Sequence, residues 1–272
     1  MTTIETSVEK IEKIQDDNPY KDIVRSLICK QTEPFIRKYK RLSMLTLPAT
    51  KWIIEKLLLA FCQENNFTCN IFGIEKSKKV FEKTICNKPE GTNINAFNTC
   101  YEKFCQQRNF YKLEINFFWA DYCGCFQTNW DNRFEIKYPR LYTFFNEVES
   151  RTDPFLYYLT FSLNGRNIKN ARKGLNPLGF AQKLKNIIAS KARKLEVIPI
   201  FQVIYKGTGN QTMITLGFAC NMGKIENGNF WKSLHELPIN IPFSPVKEEY
   251  LDKKSYKKNV EQEKMWRIGL TH

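Results

Sequence analysis

Apolar and polar positions along this chain switch between a period of two and a period near 3.6, and the switches mark its elements. Leu42 to Leu47 is a short apolar run closed by Pro48. Lys51 to Gln63 (KWIIEKLLLAFCQ) then repeats apolar positions at helical spacing behind a candidate N-cap, Thr50. Cys69 to Glu75 reads as a strand ending on a carboxylate. A helix over Lys76 to Thr84, a loop over 87–93, a short strand at Ile94 to Phe97 and a helix over Asn98 to Gln107 follow. The stretch Lys112 to Phe126, KLEINFFWADYCGCF, passes through Phe117, Phe118 and Trp119, stops at Asp121 and turns through Tyr122, Cys123 and Gly124. Its aromatic run predicts a strand buried on both faces. After Pro139 a helix runs to about Ser150. Phe155 to Leu163 is another continuous strand, and Asn176 to Leu195 is a helix opened by Asn-Pro. Val197 to Tyr205 and Gln211 to Ala219 are strands separated by five residues, Lys206 to Asn210, which is a hairpin turn and too short for a crossover.

Strand and helix thus alternate five times, and a sixth strand turns back through a hairpin into a seventh. Alternation demands a parallel sheet with helices on both faces, and the hairpin adds one antiparallel strand. The predicted fold is α/β: a three-layer, Rossmann-like arrangement around a seven-stranded, mostly parallel sheet with an antiparallel last strand. Residues 42–220 form this domain. Residues 1–41 are a basic helical extension: a frayed acidic helix over 1–18, then Tyr20 to Arg41, whose Ile23, Val24, Leu27 and Ile28 fall at helical spacing until Pro34 breaks the helix. Its seven basic side chains against two acidic ones make either a solvated outer face or a nucleic-acid contact. Residues 221–272 are Pro-punctuated coil and a charged tail. No internal repeat is present.

Composition changes this picture in two ways. The formal charge is +14, from 42 Lys and Arg against 28 Asp and Glu. That excess points to a polyanionic partner, most simply nucleic acid, or serves only solubility. Its distribution favours the first. Residues 163–195 hold nine cations, Arg166, Lys169, Arg172, Lys173, Lys183, Lys185, Lys191, Arg193 and Lys194, and no Asp or Glu. The first half lacks apolar periodicity and reads as a loop leaving the carboxyl end of a central strand, which places Arg166, Lys169, Arg172 and Lys173 to hold phosphates. Lys183 to Lys194 read equally as a solvated helix face. Nine cysteines without a repeated C-x-x-C are read as free thiols of a reducing, intracellular compartment; Cys123-Gly-Cys125 alone is a weak zinc signal, and no metal site is expected. No apolar run reaches the length of a membrane span, and the polar, acidic N-terminus is unlike a signal peptide.

In open parallel sheets ligands bind beyond the carboxyl ends of the strands. Glu75 and Asp121 each end an apolar run there, and a Gly follows Asp121. Asp121 could instead cap the next turn. Their pairing one βαβ unit apart, with the element order above, resembles a class I S-adenosylmethionine-dependent methyltransferase over roughly residues 42–220. The resemblance implies that Glu75 holds the ribose hydroxyls of S-adenosylmethionine and that Asp121 lines the methionine and substrate pocket. Leu47, Pro48 and Ala49 take the place of the family's glycine-rich loop, with no glycine in the turn Leu47-Pro48-Ala49-Thr50. The Asp-Pro-Pro-aromatic tetrapeptide of amino-methylating members is replaced by Asp121-Tyr122-Cys123-Gly124, where Asp121 would accept from an amine and Tyr122 would stack a base. The form is similar to divergent methyltransferase-like proteins of viruses and mobile elements. Two functions are therefore expected: methylation of DNA or RNA, with Asp121 and Tyr122 catalytic, or a catalytically inactive nucleic-acid-binding or assembly subunit that keeps the sheet and uses its termini for protein contacts.

Overall fold

The computed structural model of the protein describes residues 19–91, 93–107, 110–125, 129–130, 136–137, 144–145, 147–162, 186, 195–207 and 212–222. The chain divides into two units, Met1–Leu237 and Pro238–His272, and all of the described residues belong to the first. The sheet is made by β1 (Arg41–Thr46), β2 (Thr68–Glu75), β3 (Ile94–Asn98), β4 (Phe117–Cys125), β5 (Phe155–Ser162), β6 (Val197–Lys206) and β7 (Thr212–Cys220). Their order across the sheet is β3-β2-β1-β4-β5-β7-β6. β1 to β5 run parallel, while β7 lies between β5 and β6 and is antiparallel to both. This is the expected seven-stranded, mostly parallel, Rossmann-like sheet with an antiparallel last strand. The predicted pairing of the last two strands holds from Val197 opposite Cys220 to Lys206 opposite Thr212.

Among the described residues the complete helices are α1 (Pro19–Tyr39), α2 (Ile53–Glu64), α3 (Lys78–Cys86) and α4 (Tyr101–Cys105). α1 and α2 cover one face, where Val24, Ile28, Phe35, Ile36, Ile54 and Leu58 pack on Leu42, Met44, Ile71, Phe117 and Tyr158. The other face is aromatic: Tyr101, Phe104, Phe110, Phe118, Phe144, Phe145, Phe155 and Tyr157 form one cluster.

Four local expectations are corrected. Pro34 lies inside a single α1 of 21 residues. A proline removes one backbone donor, but Phe35 and Ile36, both fully buried, continue the stripe of Val24 and Ile28 and hold the helix through it. α1 packs on α2, β1 and β6. Thr50 is not the N-cap: α2 begins at Ile53, and Trp52 stands at its N-cap in the left-handed region, φ 52°, with no side-chain cap of its own. The central strand does not start at Lys112 or stop at Asp121. Phe110–Leu113 is a 3-10 turn, Glu114 has φ 47°, and β4 continues to Cys125 because β5 keeps pairing with it, with a register shift between Asp121 and Cys125.

Candidate functional site

The register places the two carboxylates together. Thr46, the last residue of β1, is level with Gly73 of β2 and Trp119 of β4. Glu75 and Asp121 each lie two residues further on, so they share a level and, by strand alternation, the face that carries α1 and α2. They flank the point where β1 has ended, two strand spacings or about 10 Å apart. The turn Leu47–Trp52 fills that gap. The two residues are thus on one carboxyl-end rim, as the sequence implied, and the surroundings of each decide what it can do.

Asp121 is buried, and its Oδ2 lies 2.7 Å from Lys21 Nζ of α1, with the two side chains 5% and 6% exposed. One turn along α1, buried Arg25 donates from Nη1 to Asp22 Oδ1 at 2.7 Å. A second buried carboxyl, Glu55 in the first turn of α2, accepts from Thr46 Oγ1 at 2.6 Å. Burial pushes the Glu55 carboxyl above its ordinary range, against the Thr46 hydrogen bond and the Arg25 charge, and the Asp121 charge adds to the rise. Four ionisable groups from α1, α2 and β4 therefore meet under the end of the sheet. A buried polar chain continues from them, Trp119 Nε1 donating to Thr160 Oγ1 at 3.1 Å, which lies 2.8 Å from Thr215 Oγ1.

Glu75 is half-buried. Its Oε1 accepts from the backbone N–H of Ser77 at 2.6 Å, and Ser77 in turn caps α3 by accepting from Val80 N–H. Burial raises the Glu75 carboxyl, while the Ser77 and Lys76 N–H groups oppose the rise. Asn98, its neighbour on β3, donates to the carbonyls of Glu75 and Lys76. The strand-end carboxylate thus folds back on its own turn.

The β1–α2 turn is held shut from below. Trp52 is fully buried and its Nε1 donates to the Thr84 carbonyl of α3 at 2.8 Å, while Thr84 Oγ1 donates to the Ala49 carbonyl at 2.8 Å. The indole lies against Gly73: a Cβ there would stand 2.4 Å from Trp52 Cη2 and 2.9 Å from Pro48 Cγ, so only glycine fits. Ala49 (φ 51°) and Trp52 (φ 52°) take left-handed conformations without being glycine, a strain of about 1–2 kcal/mol each. Of the remaining candidates, Leu47 and Tyr122 pack half-buried against the aromatic cluster on the opposite face, which takes the Tyr122 ring away from Asp121. Arg166, Lys169, Arg172 and Lys173 lie outside the described residues.

Both carboxylates are engaged where the resemblance would have S-adenosylmethionine: Glu75 Oε1 accepts from Ser77 N–H, and Asp121 Oδ2 pairs with Lys21 Nζ. The turn between them has no glycine, and Trp52 and Pro48 pack over Gly73 of β2. Sequence reasoning missed Lys21, Arg25, Glu55 and Trp52. A signal for two of them existed: Lys21, Val24, Arg25, Ile28, Gln31, Thr32, Phe35 and Ile36 recur at intervals of three and four, which sets two cations on the apolar stripe rather than on the outer face.

No family model matches the chain, and no curated protein sequence matches it either. Solved structures are similar to it at low identity. TYW2 of P. horikoshii, in complex with MeSAdo, is 12% identical, covering 66% of this chain and 57% of that one, with a TM-score of 0.43. The fibrillarin pre-rRNA processing protein of Methanococcus jannaschii is 10% identical over 65% of this chain and 66% of that one, with a TM-score of 0.42. The plantazolicin methyltransferase BamL, in complex with a desmethylPZN analog and SAH, is 10% identical over 80% and 92%, with a TM-score of 0.48. The chain spans a little over half the length of the first of these.

Proposed function

We propose that this protein binds nucleic acid along the carboxyl-end rim of its methyltransferase-like sheet and that its cofactor crevice is closed and catalytically silent. The observation that carries the reading is the placement of charge. The acid-free, nine-cation segment 163–195 begins at the residue after Ser162, where β5 ends on that rim. On the other side of the rim, Lys51 in the β1–α2 turn and Lys76, Lys78 and Lys79 around the start of α3 are exposed. Exposed lysines on one side of the rim and a cationic segment that leaves β5 at the other suit a phosphate backbone laid across the strand ends, which carries affinity without sequence information. Ion-paired Asp121 and the sealed turn favour silence over transfer. One observation favours the other reading, methylation of DNA or RNA: Glu75 and Asp121 share a level and a face.

The test is the salt dependence of binding to duplex DNA and to RNA of unrelated sequence. Each neutralised phosphate contributes about 0.9 to the slope of log affinity against log salt on duplex DNA. Replacing Arg166, Lys169, Arg172 and Lys173 with Ala flattens that slope by roughly three to four and weakens all sequences alike. The same treatment of Lys183, Lys185, Lys191 and Lys194 leaves it little changed. An unaltered slope in the first variant, or equal changes in both, removes the rim as the binding site.

A further inference from the structure

α1 brings a lysine into a place where a buried carboxylate would otherwise be open to a ligand. It cannot be a lid. Val24, Ile28, Phe35 and Ile36 are buried in the core, Gln31 Nε2 donates to the Ile200 carbonyl at 2.7 Å, and Tyr158 Oη donates to Gln31 Oε1 at 2.9 Å. Lifting the helix would expose all four apolar side chains and break both hydrogen bonds. Lys21 therefore stays at Asp121, and its ammonium is held by charge in a setting with little water to screen it. Around the pair, Glu55 adds a second carboxyl close enough to sense Asp121, and Arg25 a second cation close enough to act on Glu55. The arrangement is that of a site for a primary ammonium, built by β4 and α2 and filled from α1.

We infer that the carboxylate end of the crevice is an alkylammonium-binding site whose resident ligand is the Lys21 side chain. This rests on the reading of the crevice as closed and goes beyond it by naming the occupant and the class of ligand. Truncation at Cβ would leave room for three carbons and an ammonium, the length of n-propylammonium. A salt bridge that only staples α1 to the sheet would not show that selectivity.

The experiment follows thermal unfolding of the full chain and of Lys21→Ala across methyl-, ethyl-, n-propyl- and n-butylammonium chloride, at constant ionic strength. Tetramethylammonium, which has no N–H donor, and n-propanol, which has no charge, are the controls. Lys21→Ala is expected to melt on the order of 10 °C lower, since one partner of a buried pair is removed. n-Propylammonium is expected to restore about half of that loss saturably, more than its shorter and longer relatives, and to leave the wild type unchanged. No length-selective recovery, or an equal response of the wild type, overturns the inference. Should Lys21→Ala fail to fold alone, it is refolded in each amine: folded protein recovered selectively with n-propylammonium supports the occupied site, and equal or no recovery across the series overturns it. Nucleic acid enters none of these measurements, so their outcome is separate from that of the rim. A wild type that binds S-adenosylmethionine would remove the closed crevice and leave the amine series to be read by itself.

Discussion

The two faces of the sheet solve different problems with the same strands. On one, Phe118 meets Phe144 and Phe155 at 5.0 and 5.4 Å between ring centroids, and Phe144 stacks on Tyr157 at 4.2 Å. On the other, Leu42, Met44 and Phe117 pack beneath α1 and α2, but at the carboxyl ends of the strands the packing turns polar with Lys21, Arg25, Thr46, Glu55, Asp121, Thr160 and Thr215. Aromatic burial is favourable wherever the rings find area, so the first face supplies stability with little demand on atomic position. Buried charges are favourable only when every partner is in place, so the second face gives up stability for a defined arrangement.

That contrast can be broken by mutation. The largest expected effect is on the aromatic side: Phe118→Ala is predicted to cost about 4 kcal/mol in urea unfolding, from lost burial and the cavity left behind. A loss under about 1 kcal/mol would mean that the cluster is not the main source of stability. Next is Lys21→Met, predicted to cost about 3 kcal/mol because Asp121 stays buried without its cation, with most of that regained in Lys21→Met/Asp121→Asn. Additive losses in this cycle would deny the pair. Gly73→Ala is predicted to cost about 2 kcal/mol by overpacking against Trp52, and Trp52→Leu in the same chain should relieve part of it. The smallest effect is that of Glu55→Gln, and its signature is pH. Because burial raises the Glu55 carboxyl, the folded chain keeps this proton after the unfolded chain has released it. Its contribution to stability is therefore greatest at acid pH and falls as pH climbs from the ordinary carboxylate range through the raised value, then stays level. Glu55→Gln, which keeps an acceptor for Thr46, should remove that fall. An unchanged pH profile of urea midpoints would mean that Glu55 is not held in a protonation-sensitive place.

The strand alternation and the five-residue separation of the last two strands were enough to foresee the sheet, because parallel crossovers and hairpins leave different spacings. The rim was legible too, since Glu75 ends one apolar run and Asp121 interrupts another. What could not be foreseen was the occupant of the rim. Lys21 and Asp121 are 100 residues apart and meet only in the packed fold, and a cation on a helix is by habit assigned to solvent. Nor could the turn be read in advance: Trp52 at an N-cap contradicts local preference and is explained by its hydrogen bond to Thr84 and the space over Gly73, both set by tertiary packing. Pro34 shows the same override, in which buried Phe35 and Ile36 carry a helix through a residue that would end it alone.

The central claim is that the carboxyl-end crevice of this Rossmann-like sheet is filled by the protein's own Lys21, Trp52 and Pro48. Calorimetric titration of the purified, full-length chain with S-adenosylmethionine tests it most directly. The account predicts no saturable heat at ligand concentrations up to about 1 mM, a threshold that corresponds to roughly 4 kcal/mol of binding free energy. Stoichiometric binding with a micromolar dissociation constant would contradict it.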